Sequence, residues 1–411
     1  MQSDVQLVTG AAADVDAVYA AIRGAGPSFW ADRGRRWTVI GRLTNVGMVS
    51  AENWRVVGRR RVNGRAATVG ASTLPFAGGV VGWFGYEAGA WMERMPAPVG
   101  ARVLPDAWLG ECGSFACFDQ LSRVWFATPD LRGVVRAARS EPAPPVGKPV
   151  LLDAGDRRAF EQGVTTILEH LRRGDVYQVN LARQVVVDAP GDPWTVWRRL
   201  RASNPARRAM LIETDDGAVV SNSPELLLCV QGGRLLSVPI KGTAAKSSDA
   251  VALLSSEKER AELTMIVDLV RSDLSRVARV GSVKTAPRRV GGVGHVWHAM
   301  RRVTAELRPG LDAVDAFAAL FPAGSVTGAP KVRAMEVIRA LEAAPRGVYC
   351  GAIGWFGDDG DGWWNVGIRT IQFAGEQALF HVGAGIVLGS DPASEYAETT
   401  LKARRMAEAF G

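Results

Sequence analysis

The stretch VYCGAIGWFGDDGDGWWNVGIRTIQFAGEQALFHVGAGIV, residues 348–387, decides the fold class of this chain of 411 residues. Its apolar runs are separated by turn residues and predict three consecutive strands, Val348–Phe356, Trp363–Phe373 and Ala378–Val387. The turn Asp358–Gly362 joins the first two strands. Strands joined in this way are antiparallel, so the stretch does not indicate a regular series of βαβ units.

The segments on both sides extend this pattern into an α+β fold. Helices are predicted where apolar residues recur every three or four positions, at Ala11–Arg23, Arg157–Arg173, Pro193–Ala202, Glu257–Arg279, Val314–Leu320, Lys331–Leu341 and Ser394–Ala409. Further strands are predicted at Trp37–Arg42, Arg55–Val62, Val176–Asp188, Met210–Glu213, Ala218–Ser221, Leu226–Gln231 and Arg234–Pro239, with a strand pair within Trp108–Thr128. The apolar, glycine-rich run Pro75–Tyr86 indicates close backbone approach within a buried sheet.

A proline-rich break divides the chain at Ser140–Pro149. Proline removes backbone donors and favours extended chain, which predicts a linker or an outer loop. We therefore expect an N-terminal region, residues 1–148, and a C-terminal region, residues 149–411, as parts of one compact unit.

Composition narrows the class of protein. The chain is 47% hydrophobic and 22% charged, an ordinary globular balance. It has no apolar run long enough to span a membrane, and Met1–Asp4 lack the features of a secretory signal. Four scattered cysteines form neither a zinc framework nor a disulfide pattern, which predicts a cytoplasmic protein. The net charge of +7 is dispersed, so we expect a small anionic substrate and no nucleic acid.

Two pairs of carboxylates share a helical spacing. Glu259 and Glu262 are three residues apart on one predicted helix, and Glu395 and Glu398 repeat that spacing on the last helix, ahead of Lys402. Hard oxygen ligands of this kind suit Mg²⁺. Surface ion pairing, such as Glu398 with Lys402, explains the same spacing, and the sequence leaves both interpretations open.

A possible anion site lies in the strand before that last helix. Gly383 and Gly385 would allow backbone N–H groups to approach an anion closely, although a Gly-x-Gly pattern also marks a simple bulge. Arg369 lies in the neighbouring predicted strand. It is either a sheet-edge residue or a bidentate partner for a carboxylate.

Lys241 and Glu225 are candidates for covalent and acid catalysis. Lys241 lies between a strand end and a glycine, where it either extends to solvent or acts as a nucleophile with a lowered pKa. Glu225 follows Ser-Pro, where it either caps a helix or serves as a general acid for a leaving hydroxyl.

These features occur among seven motifs in a fixed order. The motifs are DVYQVNLAR at 175–183, SPE at 223–225, PIKGT at 239–243, ERAE at 259–262 with DLVR at 268–271, FPAGSVTGAPK at 321–331, GAGIV at 383–387 and EYAET at 395–399. In this order they resemble the chorismate-utilising synthases, which include anthranilate, aminodeoxychorismate, isochorismate and salicylate synthases. The resemblance runs from about Asp153 to the C-terminus and is looser through Pro75–Tyr86. It implies the fold of these synthases, antiparallel sheets packed as a sandwich with helices outside. Ser272, Ser275 and Leu388 depart from the family pattern and remove no proposed catalytic group.

Two positions separate the reactions of this family. Isochorismate and salicylate synthases carry a lysine base where this chain has Gln178, and anthranilate synthases carry alanine where this chain has Lys241. The lysine in PIKGT makes the chain resemble aminodeoxychorismate synthase component I most. There the lysine attacks C2 of chorismate, expels the C4 hydroxyl and is displaced by ammonia.

The resemblance implies a role for each remaining candidate. Lys241 would be the nucleophile, Glu225 the acid for the leaving hydroxyl, and His298 a catalytic group beside the ring. Mg²⁺ would be held by Glu262 and Glu398, with support from Glu259 and Glu395. The implied substrate contacts are Gln178, Thr243, Thr327, Tyr349, Arg369, Gly383, Gly385 and Lys402.

Ammonia must come from elsewhere, because the sequence contains no recognisable glutaminase domain. A separate glutamine amidotransferase subunit is therefore the predicted partner. The alternatives are anthranilate synthase component I and a non-catalytic subunit that binds chorismate or tryptophan. A tryptophan site would begin near Ser28–Asp32.

Overall fold

The computed structural model describes residues 5–9, 14–62, 68–69, 72–96, 100–139, 156–188, 190–245, 256–293 and 296–411. Its strands are β1 (Gln6–Val8), β2 (Ser28–Arg33), β3 (Trp37–Met48), β4 (Thr68–Val69), β5 (Ser72–Thr73), β6 (Gly79–Phe84), β7 (Ala107–Asp119), β8 (Val124–Ala127), β9 (Gln178–Asp188), β10 (Arg208–Thr214), β11 (Gly217–Ser223), β12 (Leu226–Gln231), β13 (Arg234–Val238), β14 (Ile240–Ala245), β15 (Lys284–Thr285), β16 (Arg289–Val293), β17 (Val296–Met300), β18 (Val303–Glu306), β19 (Gly328–Ala329), β20 (Ala352–Gly357), β21 (Gly362–Val366), β22 (Thr370–Ala374) and β23 (Gln377–Ile386). Its α-helices are α1 (Val15–Ile22), α2 (Trp54–Gly58), α3 (Arg132–Ala137), α4 (Arg157–Arg172), α5 (Pro193–Ser203), α6 (Glu257–Ser275), α7 (Ala313–Leu320), α8 (Gly324–Thr327), α9 (Lys331–Leu341) and α10 (Pro392–Ala407), and a 3₁₀ helix spans Tyr86–Trp91.

Two antiparallel sheets share the long strands β3 and β7. One edge of β7 pairs with β3 along most of its length, while the other edge pairs first with β6 and then with β8. One sheet continues from β3 through β2, β10, β11, β22, β23 and β9 to β19. The other continues from β6 through β20, β21, β12, β13 and β18 to β15. A separate small sheet pairs β14, β17 and β16.

Three apolar clusters hold these layers together. The cluster between the sheets joins residues such as Phe29 and Ile212 of one sheet to Trp83 and Trp355 of the other. A second cluster lies on the outer face of the first sheet, which is covered by α1, α3, α5 and α10. Helices including α6, α7 and α9 pack on the third cluster. The predicted α+β class, a sandwich of antiparallel sheets with helices outside, is confirmed.

The glycine-rich run contributes to the middle of the sandwich. Gly82 of β6 lies opposite Gly354 of β20, and all six residues of each strand are buried. A Cβ atom at Gly82 would lie 1.9 Å from the carbonyl oxygen of Trp108, which no side chain could tolerate. The predicted close backbone approach in this run is confirmed.

The predicted strand Arg55–Val62 is wrong, because α2 occupies Trp54–Gly58. Arg55 and Arg59 both form ion pairs with Asp315 of α7. Residues four apart share one face of a helix, whereas four residues of strand would separate them by about 13 Å. These tertiary ion pairs, together with burial of Trp54, favour the helix over the β propensity of this segment.

Three other predicted boundaries also change. The strand predicted at Trp363–Phe373 is interrupted between β21 and β22, where Arg369 has a φ of +52°. The strand predicted from Val348 begins only at Ala352, after Cys350 with a φ of +61°. A non-glycine residue with positive φ cannot continue a regular strand. The helix predicted to reach Arg279 ends at Ser275.

The two regions on either side of the proline-rich break contribute strands to the same sheets. β2 pairs with β10, and β6 pairs with β20. The break at 140–149 lies outside the described residues, and the boundary between regions 1–148 and 149–411 stays a prediction. Among the helices that the structure describes, none is long and apolar enough to cross a membrane.

Candidate active site

Lys241 lies at a bulge in β14. The register of β14 with β17 shifts between Lys241 and Thr243, where Gly242 adopts a φ of +67°. Glycine tolerates this conformation because it has no Cβ atom. At the bulge the side chain of Lys241 points to α8, where its Nζ donates to the carbonyl oxygen of Ser325 at 3.0 Å. The side chain therefore does not extend freely into solvent.

The surroundings of Lys241 favour its neutral amine. Burial lowers the pKa of Lys241, and the positive charge of Lys402 acts in the same direction. Three carboxylates, those of Glu225, Glu262 and Glu259, oppose this shift but do not cancel it. A neutral amine is the form of lysine that can act as a nucleophile.

Glu225 is a buried carboxyl group that precedes strand β12. Its backbone N–H donates to the hydroxyl oxygen of Ser223 at 3.2 Å, which fixes the turn before the strand, so the alternative of a helix cap is wrong. Burial raises the pKa of Glu225 to about 7, although the positive charge of Lys241 lowers it. A carboxyl group in this state retains a proton near neutral pH and can donate it.

His298 and Arg369 form a pair beside β14. The Nδ1 atom of His298 lies 3.1 Å from the carbonyl oxygen of Gly242, so Nδ1 carries the proton and donates it. The Nη2 atom of Arg369 then donates to Nε2 of His298 at 3.2 Å. Burial and the charge of Arg369 lower the pKa of His298 to about 4, which makes the ring neutral at physiological pH.

Arg369 sits in a strained conformation at the break between β21 and β22. Its φ is +52°, and its carbonyl oxygen accepts from the backbone N–H of Asn222 at 3.0 Å, which stabilises the turn. Burial lowers the pKa of Arg369 to about 10. Its buried Nη1 atom has no hydrogen-bond partner among the described residues. Local strain and an unpaired guanidinium donor together are typical of a binding site for an anion.

Gln178 and Gly385 form a close-fitting wall near the amine. A Cβ atom at Gly385 would lie 2.9 Å from Nε2 of Gln178 and 3.5 Å from Nζ of Lys241. The Gln178 side chain is fully buried, and neither polar atom of its amide has a partner among the residues that the structure describes. A buried amide without partners is costly, so this one is suited to a polar ligand.

Tyr349, in the loop before β20, and Lys402, on α10, both approach Gly383 of β23. A Cβ atom at Gly383 would lie 2.7 Å from the hydroxyl oxygen of Tyr349, whose ring stacks on His381 at 5.3 Å between centroids. Nζ of Lys402 donates to the carbonyl oxygen of Gly383 at 2.8 Å and forms an ion pair with Glu398. The structure thus brings these predicted substrate contacts together.

The two predicted threonine contacts differ from the rest. The hydroxyl of Thr327 is buried and donates within its own short helix, to the carbonyl oxygen of Ala323 at 3.0 Å. The side chain of Thr243 lies outside the described part of the chain, and only its backbone pairing with His298 is described. The structure describes no contact of the Thr327 hydroxyl with Lys241, Glu225 or His298.

The four carboxylates predicted to hold Mg²⁺ lie on two helices whose starts are fixed by capping. The Ser256 side chain accepts from the backbone N–H of Glu259 at 3.3 Å and starts α6, and Asp391 caps α10 in the same way. Among the described residues no group of three His, Cys, Asp or Glu side chains is close enough to hold a metal ion. One observation fits a cation: Oε2 of Glu259 is buried and has no partner among those residues. The donor set is one that Mg²⁺ accepts, so magnesium stays a prediction.

Sequence reasoning missed the groups that support this site. The carbonyl oxygen of Ser325 lies inside the motif at 321–331, but its contact with Lys241 could not be predicted, because every residue has a backbone carbonyl group. Arg346 is buried beneath Tyr349 and contacts Asn180 and Val326 through their carbonyl oxygens. An arginine just before an apolar Gly-Val-Tyr segment is the only signal that could have indicated it.

Comparison with known proteins defines the class of this fold and site. The family described as chorismate binding enzyme matches residues 26–408. The chain is 36% identical over 385 residues to an anthranilate synthase component 1 of Haloarcula marismortui, covering 85% of this chain and 79% of the relative. It is 42% identical over 259 residues to the aminodeoxychorismate synthase component 1 of Bacillus subtilis, covering 61% and 55%.

A solved structure agrees over nearly the whole length. Anthranilate synthase component I from Streptococcus pneumoniae superposes with a TM-score of 0.76 at 30% identity, covering 93% of this chain and 92% of that one. The chain therefore belongs to the family of chorismate binding enzymes. Within that family its relatives divide between two aminating synthases, those that form anthranilate and those that form aminodeoxychorismate.

Proposed function

We propose that this chain is component I of an aminodeoxychorismate synthase, which replaces the C4 hydroxyl of chorismate with an amino group. The single observation that carries the proposal is the environment of Lys241. Its Nζ is held against α8, has a lowered pKa and lies beside the wall formed by Gly385 and Gln178. A residue with these properties is suited to covalent catalysis.

In the proposed mechanism two displacements replace one difficult step. The lone pair of Lys241 forms a bond to C2 of chorismate, both ring double bonds shift by one position around the ring, and the C4–O bond breaks. Glu225 donates its proton to the departing hydroxyl, which leaves as water. Ammonia then forms a bond to C4, both double bonds shift back, and the bond between C2 and Lys241 breaks. The proton lost by the new C4 ammonium group restores Glu225.

Arg369 is proposed to bind a carboxylate of chorismate. Its Nη1 donor has no partner among the described residues, and its Nη2 donates to the neutral ring of His298. No described acid in contact with Arg369 therefore neutralises the charge of its guanidinium group. A bidentate arginine and a substrate carboxylate would satisfy each other. Tyr349 of the loop before β20 and Lys402 of α10 both approach Gly383 of β23, and the three residues are proposed to line the adjacent wall.

Magnesium is proposed as the cofactor, with Glu262 and Glu398 as ligands and Glu259 and Glu395 in support. The unpartnered buried oxygen of Glu259 supports this assignment. When bound, Mg²⁺ would neutralise the ring carboxylate of the substrate. In the proposal, Lys241 provides the covalent bond and Glu225 transfers the proton.

A separate glutamine amidotransferase is the proposed source of ammonia. The relatives are named as component 1 proteins, which supports a second component. Anthranilate synthase component I stays the second candidate function, because relatives with that name align over 85% of the chain. Lys241 is the residue that this candidate does not explain.

Mass spectrometry of the products would separate the two functions. Purified chain would be incubated with chorismate, Mg²⁺ and an ammonium salt. Aminodeoxychorismate without release of pyruvate is the expected product. Anthranilate with an equal amount of pyruvate would overturn the proposal in favour of the second candidate.

A further inference from the structure

Arg346 is a buried arginine that the proposed reaction does not use. Its side chain is 1% exposed and lies just after α9. Its Nε and Nη2 atoms donate to the two carboxylate oxygens of Glu342, at 2.8 and 2.6 Å. This bidentate pair fixes the plane of the guanidinium group and leaves further N–H groups to point elsewhere.

Those remaining donors reach two segments that carry proposed substrate contacts. Nη2 donates to the carbonyl oxygen of Asn180 at 2.6 Å, on the same strand as Gln178. Nη1 donates to the carbonyl oxygen of Val326 at 3.0 Å, directly after Ser325 of α8. One side chain thus joins β9 to α8.

The backbone of Arg346 begins a third segment, the loop that ends at Tyr349. The carbonyl oxygen of Arg346 accepts from the backbone N–H of Tyr349 at 3.2 Å, and the guanidinium group lies 5.8 Å from the centre of the Tyr349 ring. Glu87 of the N-terminal region holds this loop from the opposite side. Its carboxylate accepts from the backbone N–H groups of Arg346 at 2.7 Å and Gly347 at 2.9 Å.

We propose that Arg346 is a positioning residue that fixes strand β9, helix α8 and the Tyr349 loop relative to one another, so that their substrate contacts face one chorismate molecule. The carbonyl oxygens of Asn180 and Val326, on two separate segments, do not attract each other, and the planar cation between them donates to both. The third segment, the Tyr349 loop, begins at the backbone of Arg346 itself. Glu87 makes the N-terminal region part of this arrangement. The inference rests on the proposed function only in naming those contacts as substrate contacts.

The test compares Arg346→Lys with Arg23→Lys. A lysine keeps the charge but cannot grip Glu342 with two donors and reach both carbonyl oxygens at once. Arg23 is the matched control, because its Nε and Nη2 atoms also donate to the two carboxylate oxygens of one acid, Glu213, and the structure describes no contact of its side chain with a proposed substrate contact. Chorismate binding would be measured by titration calorimetry, thermal stability by unfolding, and turnover at varied chorismate and ammonium concentrations.

We expect Arg346→Lys to raise the Kd and KM for chorismate by about 10- to 100-fold, the usual effect of losing a supporting residue. The KM for ammonium should change by less than about two-fold, because ammonia makes no contact with the three segments in the proposed mechanism. Arg23→Lys should lower the unfolding temperature and leave both constants unchanged. An unchanged chorismate Kd in Arg346→Lys, or an equal change in the control, would overturn the inference.

A second variant keeps the test decisive if Arg346→Lys does not fold. Glu342→Gln retains the shape of the side chain and removes the charge that orients the guanidinium group. A raised chorismate Kd in this variant supports the inference, and an unchanged Kd overturns it. Failure of the proposed function is a separate result, since wild-type chain would then bind chorismate without forming aminodeoxychorismate.

Discussion

The candidate site has an amine end, formed by Lys241, Glu225 and His298, and a carboxylate end, formed by Glu259, Glu262, Glu395 and Glu398. The two ends differ in how far protein encloses their side chains. At the amine end Lys241, Glu225 and His298 are enclosed by protein, and their pKa values are shifted by that burial. At the carboxylate end the side chain of Glu398 is 54% exposed and pairs with Lys402. No three acidic groups converge there among the residues that the structure describes.

The difference has a physical reason. Lys241 and His298 have hydrogen-bond partners in the fold, the carbonyl oxygens of Ser325 and Gly242, whereas the adjacent amide of Gln178 has none among the described residues. Several ionised carboxylates in one place repel one another unless a cation or a shared proton offsets their charges. We propose that Mg²⁺, when bound, supplies the positive charge that offsets the carboxylates of Glu259, Glu262, Glu395 and Glu398.

Replacing the amine should have the largest effect. Lys241→Ala removes the proposed nucleophile and should lower the rate of C4 amination by about 1,000-fold or more, while chorismate still binds. The measurement is aminodeoxychorismate formation by mass spectrometry together with chorismate titration. Lys284→Ala, at an exposed lysine, is the control and should be fully active. Full amination by Lys241→Ala would refute the covalent mechanism.

The raised pKa of Glu225 predicts that the kcat/KM for chorismate depends on pH. Because the pKa of Glu225 is raised to about 7, its proton is present below that pH and is lost as the pH rises through it. The kcat/KM for chorismate, measured at constant free ammonia, should therefore fall above about pH 7.

Glu225→Gln should lower the rate by about 100- to 10,000-fold and remove that pH dependence. Glu408→Gln, on the exposed surface, should keep both the rate and the profile of the wild type. If Glu225→Gln retained the same decline above pH 7, another group would be the acid.

Sequence patterns predicted most of the fold, and they failed where distant contacts decide the local structure. The periodicity of α4, α9 and the strands around β10 to β13 identified these elements correctly. The segment Arg55–Val62 was misread because its helix depends on ion pairs to α7, more than 250 residues away. The strand break at Arg369 depends on a hydrogen bond from Asn222, which local propensity cannot reveal.

The site was predictable to the extent that side-chain identity carries the chemistry. Lys241 and Glu225 stand in short motifs with few other reactive residues, and the structure places both near the same α8 segment. The carbonyl of Ser325 and the free amide of Gln178 become visible only in three dimensions. Spacing along two helices also could not show whether the four acidic groups converge on one site.

At the carboxylate end, removing one charge should alter the metal requirement more than the chemistry. Glu398→Gln should raise the Mg²⁺ concentration for half-maximal activity by about 10- to 100-fold, with a smaller change in kcat at saturating metal. The measurement is a Mg²⁺ titration of ammonium-dependent turnover. Glu376→Gln, an exposed acid in the turn before β23, is the matched control. An unchanged titration would remove Glu398 from the proposed metal site and leave its pairing with Lys402 as its only role.

Adding a single methyl group beside Lys241 should have the smallest effect on the reaction of these variants. In Gly385→Ala the new Cβ would lie 2.9 Å from the Gln178 amide and 3.5 Å from Nζ of Lys241, so the flexible amide must shift. We expect the KM for chorismate to rise by about ten-fold or less, because one contact is displaced and no reacting group is lost. Gly389→Ala is the control, since nothing lies within 4 Å of the position where its Cβ would stand. The Mg²⁺ titration should be unchanged in both variants, because neither glycine belongs to the proposed metal ligands. A shifted titration in Gly385→Ala would mean that the two ends assemble as one unit.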